Sequence, residues 1–423
     1  METLIKKESE ELSNLTIDYL KNRPKEERSP LGQFITPKSL REALLDQIEL
    51  TPGMKVLDPG VGTGEFLYSC NARVENLSLE GWDIDPQVVK VAKQLVPNAE
   101  IKIQSALDQG WNRNFDVVIG NPPYFEMRNL DVKTRQRYKQ VIGGRPNIFS
   151  LFFAAGLGAL KSDGVLGYVV PPSMNNGAFF TKLRSYISQR ASIEFLKVYT
   201  DSDLFLDAQT AVQLIVLRKG TTSSKHIIDL GKLAKTTEQR EIFVENTVSF
   251  ENEFIDRTNL WNLGYKATTG TLIWNKNKNM LRNSPEKDSI PLIWAHNITT
   301  ESNIVINEEH PKKPQYVLSK EFLVGPAIVV NRITGSVGQG SLRCALIPDG
   351  YKFIGENHVN VIMKRKNIVP SITFEEVLKL LRKSGVNEKV QKLTGNTQIS
   401  CVELTHFLPL DIKIDDIGVS TLF

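Results

Sequence analysis

The chain has 423 residues, 41% hydrophobic and 24% charged, a balance that excludes an intrinsically disordered protein and suits two ordinary domains. Its longest apolar run, Ile148 to Leu160, falls short of the roughly 20 residues that cross a bilayer, and the charged start METLIKKESEEL lacks the apolar core of an export signal, so a cytoplasmic protein without a membrane span is expected. The net charge of +4 is compatible with a polyanionic partner without identifying one; three dispersed cysteines (Cys70, Cys344, Cys401) and five histidines without ligand spacing predict no disulfide framework and no metal.

Residues 1 to 30 predict an amphipathic helix ending near Pro24 and then a charged linker, KEERSP. From 31 to 220 short apolar runs alternate with helical patterns. Strands are expected at Lys55 to Asp58, Leu79 to Asp83, Ile101 to Gln104, Phe115 to Ile119, Val165 to Val170, Ile193 to Tyr199 and Ala211 to Leu217. Helices are expected at EFLYSCNARVEN, PQVVKVAKQLV and NIFSLFFAAGLGAL. This alternation predicts an α/β, doubly wound domain of seven strands with a mainly parallel sheet. Too little chain separates the last two strands for a crossover, so they are expected as an antiparallel hairpin at the sheet edge. After about 221 the texture changes to short strands, turns and clustered Lys and Arg, with one clear helix at Phe374 to Gly385. A separate irregular α+β domain, 221 to 423, is expected there.

The first strand runs into VLDPGVGTGEF, where Gly60, Gly62 and Gly64 let backbone approach a ligand closely. The spacing is G-x-G-x-G, unlike a dinucleotide fingerprint. Asp58 sets a carboxylate where a pyrophosphate would otherwise lie, which favours a cation such as an amino-acid ammonium. About 20 residues on, Asp83 stands at the end of the second strand, suited to accept from both ribose hydroxyls. Asp85 has the position of a helix cap. The pattern describes a nucleoside carrying a cationic amino acid. Then comes FDVVIGNPPYF: two prolines end both helix and sheet, fixing the Asn121 carboxamide in a rigid turn three residues before Tyr124.

These residues resemble the S-adenosylmethionine-dependent methyltransferases, and NPPY narrows the resemblance to enzymes acting on exocyclic or amide nitrogens. LGQFITPKSL (31 to 40) looks like the N-terminal cofactor motif of the gamma-type, TaqI-like DNA adenine-N6 methyltransferases. VLGYVVPPSMNNGAFFTKLRSYI keeps that group's order after NPPY, so the resemblance covers 31 to about 220. It implies a Rossmann-like catalytic domain. Thr36 would contact the cofactor's amino-acid end, Asp58 and Gly60 to Gly64 its methionine part, Asp83 the ribose, and Ile84 the adenine. The acidic residue that usually meets the cofactor's exocyclic amine is replaced by Ser105, whose hydroxyl can still accept. Asn121 and the Pro122 carbonyl, held by Pro122 and Pro123, would grip the target amine so that its lone pair faces the methyl group. Tyr124 would stack on a target base drawn from the duplex, with Phe180, or its neighbour Phe179, on the other face; a core role is the competing reading for either phenylalanine.

MRNLDVKTRQRYKQVIGGR carries Arg128, Lys133, Arg135, Arg137, Lys139 and Arg145 against Asp131 alone, either a solvated helix face or a set of phosphate contacts. PLIWAHNI, VVNRIT, GENHVNVI and LTGNTQISCVELTHFLPL look like pieces of the BsuBI and Eco57I type of adenine methylase. Among them Asn331, Arg332, Asn357 and His358 either read DNA or hold their own loops. The expected whole is a monomeric, adenine-specific DNA methyltransferase clamping double-stranded DNA between its domains. No nuclease domain is expected within it, so the restriction endonuclease would be encoded separately. Two other readings are an N-methyltransferase of protein glutamine or RNA, and a catalytically silent DNA-binding module.

Overall fold

The computed structural model describes residues 11–28, 32–108, 114–127, 129–144, 146–199, 211–220, 231–235, 241–255, 257–310, 312–332, 341–394 and 398–412. They form two compact units, Met1–Phe250 and Glu251–Phe423. None of their helices is long and apolar enough to cross a membrane.

The first unit is built on seven strands: β1 (Lys55–Asp58), β2 (Ser78–Asp83), β3 (Glu100–Ile103), β4 (Phe115–Gly120), β5 (Leu160–Val170), β6 (Ala191–Tyr199) and β7 (Val212–Lys219). They lie in the order β3-β2-β1-β4-β5-β7-β6. The first five are parallel and β7 is antiparallel to both its neighbours. The expected hairpin of the last two strands forms, but β7 enters the sheet between β5 and β6, leaving only β6 at the edge. Burial explains the choice: Val212 to Leu217 are buried without interruption, whereas β6 is covered only in part. A strand apolar on both faces belongs inside a sheet. The single buried polar side chain in that run, Gln213, exchanges two hydrogen bonds with the Asn175 carboxamide (2.6 and 2.9 Å).

Among the described residues, seven helices longer than one turn complete the unit: α1 (Asn14–Asn22), α2 (Lys38–Leu45), α3 (Glu65–Arg73), α4 (Pro86–Leu95), α5 (Val132–Arg137), α6 (Ile148–Ala159) and α7 (Thr181–Ser188). Alternate strand residues feed two cores. Val56, Val117, Ile119, Leu214 and Val216 pack with α2, α3 and α4, while Leu57, Val118, Leu166, Ile215 and Leu217 pack with α6 and α7. Every residue of α6 is buried, which accounts for its lack of a polar stripe.

Two N-terminal details differ from expectation. The stretch after Pro24 is no plain linker, because Lys25–Arg28 form a helical turn and Arg28 Nε bonds back to the Arg23 carbonyl at 3.0 Å. KSLREALL, not anticipated as an element, is helix α2. It carries Arg41, which forms a buried 2.9 Å ion pair with Glu65 at the start of α3. Ser13 adds two bonds to the same carboxylate (2.9 and 2.7 Å). Pairs of this kind lose about 3–5 kcal/mol when one partner is removed.

The change of texture near 221 suggested a domain boundary there. Beyond it, β8 (Leu233–Lys235) and β9 (Glu241–Phe243) pair as a small ribbon within the first unit. Phe243 N donates to the Asn175 carbonyl (3.0 Å) and Arg184 Nε to that of Glu241 (2.7 Å).

The second unit has two sheets. β10 (Tyr265–Thr269), β15 (Ala327–Asn331), β16 (Cys344–Ile347) and β18 (Val359–Lys364) form one, in the order β10-β18-β15-β16. β11 (Leu281–Arg282), β12 (Ser289–Ile293), β13 (Tyr316–Leu318), β14 (Leu323–Val324) and β17 (Lys352–Gly355) form the other, in the order β11-β13-β12-β17-β14. Ile328, Val330 and Ile362 face the helices α8 (Phe374–Leu381) and α9 (Val386–Thr394). Ala327, Val329, Val359 and Val361 face Ile293 and Phe353 of the second sheet. Both sides of the four-stranded sheet are thus covered, which is why AIVV reads as a continuous apolar run; in VNVI the one polar residue, Asn360, is buried and its amide donates to the Ile399 carbonyl (3.1 Å). Helix α8 starts on the capping box of Thr373 and Glu376.

Candidate active site

A cavity of about 330 Å³ opens at the carboxyl ends of β1, β2, β3 and β4. The strand order reverses between β1 and β4, and open parallel sheets bind ligands at such a point. Gly60, Gly62, Asp83, Ile84, Ser105, Asn121 and Pro123 line it. Thr36, Asp58, Gly64, Pro122 and Tyr124, the other residues expected here from sequence, are not among its lining residues; Pro122 is buried within its turn.

Each has an identifiable place. Asp58 ends β1, 1% exposed, with its Oδ1 accepting from Gly60 N at 3.0 Å. Among the described residues no cation pairs with it. Burial pushes its carboxyl up to about 8, the Gly60 N–H offsetting part of this and Asp83 adding to it. Gly120 makes room for the carboxylate: a Cβ at that position would stand 2.7 Å from Asp58 Oδ1. Gly64, at φ +94°, is required for packing, since its Cβ would come 3.2 Å from the Ala92 backbone in α4. Thr36 is buried with its hydroxyl unpartnered, as is the Thr63 hydroxyl within the glycine turn.

At the end of β2, Asp83 accepts from Gly62 N (3.1 Å) through one oxygen and from Asp85 N (3.0 Å) through the other. Each oxygen keeps a lone pair for a ligand hydroxyl. Burial raises its carboxyl above the usual range, against the pull of those two N–H groups. Asp85 does cap α4, accepting from Gln87 N at 3.0 Å. It also holds Arg23 and, at 2.8 Å, the Gln33 amide, so the N-terminal segment is tied to the cavity rim. Ile84 is 61% exposed, a free apolar face beside the Asp83 carboxylate. Ser105 Oγ accepts from Leu107 N at 3.1 Å, which leaves its proton and one lone pair for a ligand.

The Asn-Pro-Pro-Tyr turn is braced from the N-terminal motif, a link the sequence reading missed. Asn121 Nδ2 donates to the Phe34 carbonyl at 3.0 Å, and Gly32, at φ +68°, sits where a Cβ would be 2.4 Å from Pro123. The GQF of LGQFITP was the available signal, but it acquires meaning only when folded against NPPY. Asn121 Oδ1 accepts from the Tyr124 hydroxyl. The Tyr124 ring meets Phe149 edge-on at 6.4 Å, and Phe149 in turn lies against Phe180 at 5.1 Å. Phe180 therefore joins the aromatic row next to the turn. Phe179 is 59% exposed.

Of the cations after the turn, Arg128 and Arg145 lie outside the described residues. Lys133, Arg135 and Lys139 are exposed. Arg137 is partly committed, its Nη1 donating to the Leu107 carbonyl at 2.9 Å. Asp131, the segment's one acid, caps α5 through Thr134 N (2.9 Å). In the second unit, both ends of the Asn331 carboxamide are bonded to backbone, at Ser341 O (3.0 Å) and Arg343 N (2.6 Å). Arg332 Nη1 donates to the Asn357 carbonyl (3.2 Å), while Arg332 Nε and Asn357 Oδ1 are buried without partners. His358 Nδ1 stands 2.9 Å from the buried Glu356. Among the described residues no group of His, Cys, Asp or Glu is arranged to hold a metal.

The sheet order, the glycine turn and the NPPY turn at one cavity mouth define a Rossmann-like methyltransferase domain. Residues 70–205 match the family described as Eco57I restriction-modification methylase. The chain is 26% identical over 412 residues to modification methylase CviBIII of Paramecium bursaria Chlorella virus NC1A, covering 95% of this chain and 99% of that protein. It is 23% identical over 462 residues to type II methyltransferase M.BsuBI of Bacillus subtilis, covering 94% of this chain and 90% of that protein. The chain carries an Eco57I-like restriction-modification methylase domain, and S-adenosylmethionine is the cofactor of such a domain. The residues present fit it: a buried carboxylate without a cation, two unpartnered threonine hydroxyls, spare lone pairs on Asp83 and an open Ile84 face.

Proposed function

We propose that the protein is a sequence-specific DNA methyltransferase that modifies the N6 amine of an adenine flipped out of duplex DNA. The observation that carries this reading is the Asn121 carboxamide, fixed by Phe34 and Tyr124 at the mouth of the cofactor cavity. Asp58, Thr36 and the backbone of Gly60 and Gly62 would hold the methionine end of the cofactor, Asp83 the ribose, Ile84 and Ser105 the adenine. Bound there, S-adenosylmethionine supplies an electrophilic methyl group on a sulfonium.

The chain's own residues do the rest. The lone pair of an adenine amine is delocalised into the ring, so the amine attacks only when that pair is localised. Asn121 Oδ1 and the Pro122 carbonyl accept its two N–H bonds and turn the pair toward the methyl group, so positioning and fixed dipoles carry catalysis. Tyr124 stacks on the extruded base, with Phe180 as the second aromatic wall, offsetting part of the few kcal/mol that extrusion costs. Lys133, Arg135 and Lys139 contact phosphates. Arg332, Asn357 and His358 are the base or phosphate readers of the second unit, while Asn331 serves its own loop. We take the protein as a monomer, the modification partner of a separately encoded endonuclease.

Single-molecule sequencing of genomic DNA from cells expressing the protein tests this. One short motif carrying N6-methyladenine, absent with Asn121→Ala, is the expected result. No methylated adenine, in protein that binds S-adenosylmethionine, would turn the search to glutamine or RNA nitrogens or to a silent binding role. A second expectation concerns the cations. Lys133→Ala with Arg135→Ala should reduce the slope of log affinity for DNA against log salt by about 2, near one unit per lost phosphate contact. An unchanged slope returns these residues to a solvated surface.

A further inference from the structure

Tyr124 has two separable parts, a ring and a hydroxyl, and only the ring has a use in base stacking. The hydroxyl is not directed to solvent. It donates to Asn121 Oδ1 and lies 2.9 Å from the Val169 carbonyl, near the end of β5. One proton faces two acceptors. Burial holds the phenol well above its usual range, so it keeps its proton, and both polar neighbours are oxygens toward which it donates. The ring is clamped edge-on by Phe149, which leaves the hydroxyl little freedom to turn away.

We propose that the Tyr124 hydroxyl is the positioning group for Asn121, fixing which end of the carboxamide and which oxygen lone pair face the target amine. The orientation follows from donor and acceptor types. The Phe34 carbonyl can only accept and therefore takes Nδ2, which leaves Oδ1 facing the phenol to accept its proton. A reversed amide would set Oδ1 against the Phe34 carbonyl, two acceptors in contact. A carboxamide oxygen has two lone pairs, so with one held by Tyr124 a single directed pair remains for an incoming N–H. The Val169 carbonyl anchors the phenol to the strand beside β4, so the pair keeps its direction when the turn is loaded. Donation by Nδ2 to the Phe34 carbonyl also polarises the amide, strengthening its oxygen as an acceptor. This inference rests on the amine-transfer reading above and assigns to the hydroxyl a task distinct from stacking.

Tyr124→Phe separates the two parts. The ring remains, so the fluorescence of 2-aminopurine at the target position and the affinity for S-adenosylhomocysteine should match the parent. The single-turnover methylation rate should fall roughly tenfold, the scale of one lost neutral hydrogen bond. Tyr124→Phe should cost nothing further in an Asn121→Ala background, because the hydroxyl acts only through that amide. Parental turnover by Tyr124→Phe would overturn the proposal, as would equal losses in both backgrounds or a loss confined to the flipping signal. A different failure, in which Asn121→Ala itself methylates DNA at the parental rate, would overturn the amine-transfer reading and the proposal with it.

Discussion

Asn121→Ala is expected to remove methyl transfer while leaving cofactor affinity nearly intact. The carboxamide lines the cavity mouth, but its two observed bonds go to Phe34 and Tyr124, so alanine costs the cofactor little. The target amine loses one of its two acceptors. A single preorganised hydrogen-bonding group of this kind is worth on the order of 10²–10³ in turnover. Asn121→Asp is a sharper comparison. It keeps an acceptor for the amine but puts a carboxylate oxygen where Nδ2 met the Phe34 carbonyl, so the turn should distort and activity should also be low. Rapid-quench methylation beside calorimetric binding of S-adenosylhomocysteine separates the two effects. Normal turnover by Asn121→Ala would end the lone-pair account.

Cofactor affinity is expected to rise with pH between about 6 and 8, and to lose that dependence in Asp58→Asn. The cause is the buried Asp58 carboxyl, raised to about 8 by desolvation. Between its unfolded value near 4 and this folded value, the empty protein holds a proton that the unfolded chain has released. That contribution to stability is complete at low pH and is lost as pH rises through about 8. An ammonium against Asp58 needs the carboxylate, so binding below pH 8 expels the proton, and affinity improves by up to about tenfold per pH unit. The ligand's own amine must also stay protonated, which limits the upper side. Titrating S-adenosylhomocysteine in two buffers of different ionisation enthalpy measures the proton released. A flat profile with no proton release would mean that the ammonium lies away from Asp58.

The sites that could be read directly are those whose chemistry is local. The turn VLDPGVGTGEF joins strand and helix through short-range steric rules, Asp85 caps the helix that follows it, and NPPY stops a strand wherever it is written. The assignments that changed are those with long-range causes. Gly64, read as a cofactor contact, is constrained by α4, whose residues lie about thirty positions away in the chain. Arg137, counted as a phosphate contact, spends part of its guanidinium on Leu107, and Asn331 spends its carboxamide on Ser341 and Arg343. A side chain that can bond either a ligand or a backbone group cannot be assigned until the fold shows whether a backbone group is within reach.

The sequence by itself determined the seven-stranded α/β domain, the cofactor class and the rigid Asn-Pro-Pro-Tyr turn at the end of β4, because apolar periodicity and turn chemistry act over a few residues. Only the tertiary structure decided that β7 lies inside the sheet, that β8 and β9 pack with the first unit, and that Gly32 and Phe34 brace the Asn-Pro-Pro-Tyr turn. It also decided that the Tyr124 hydroxyl is spent on Asn121. Each of these depends on groups distant in sequence meeting at bonding distance, where the burial of one residue and the free valence of another are settled together.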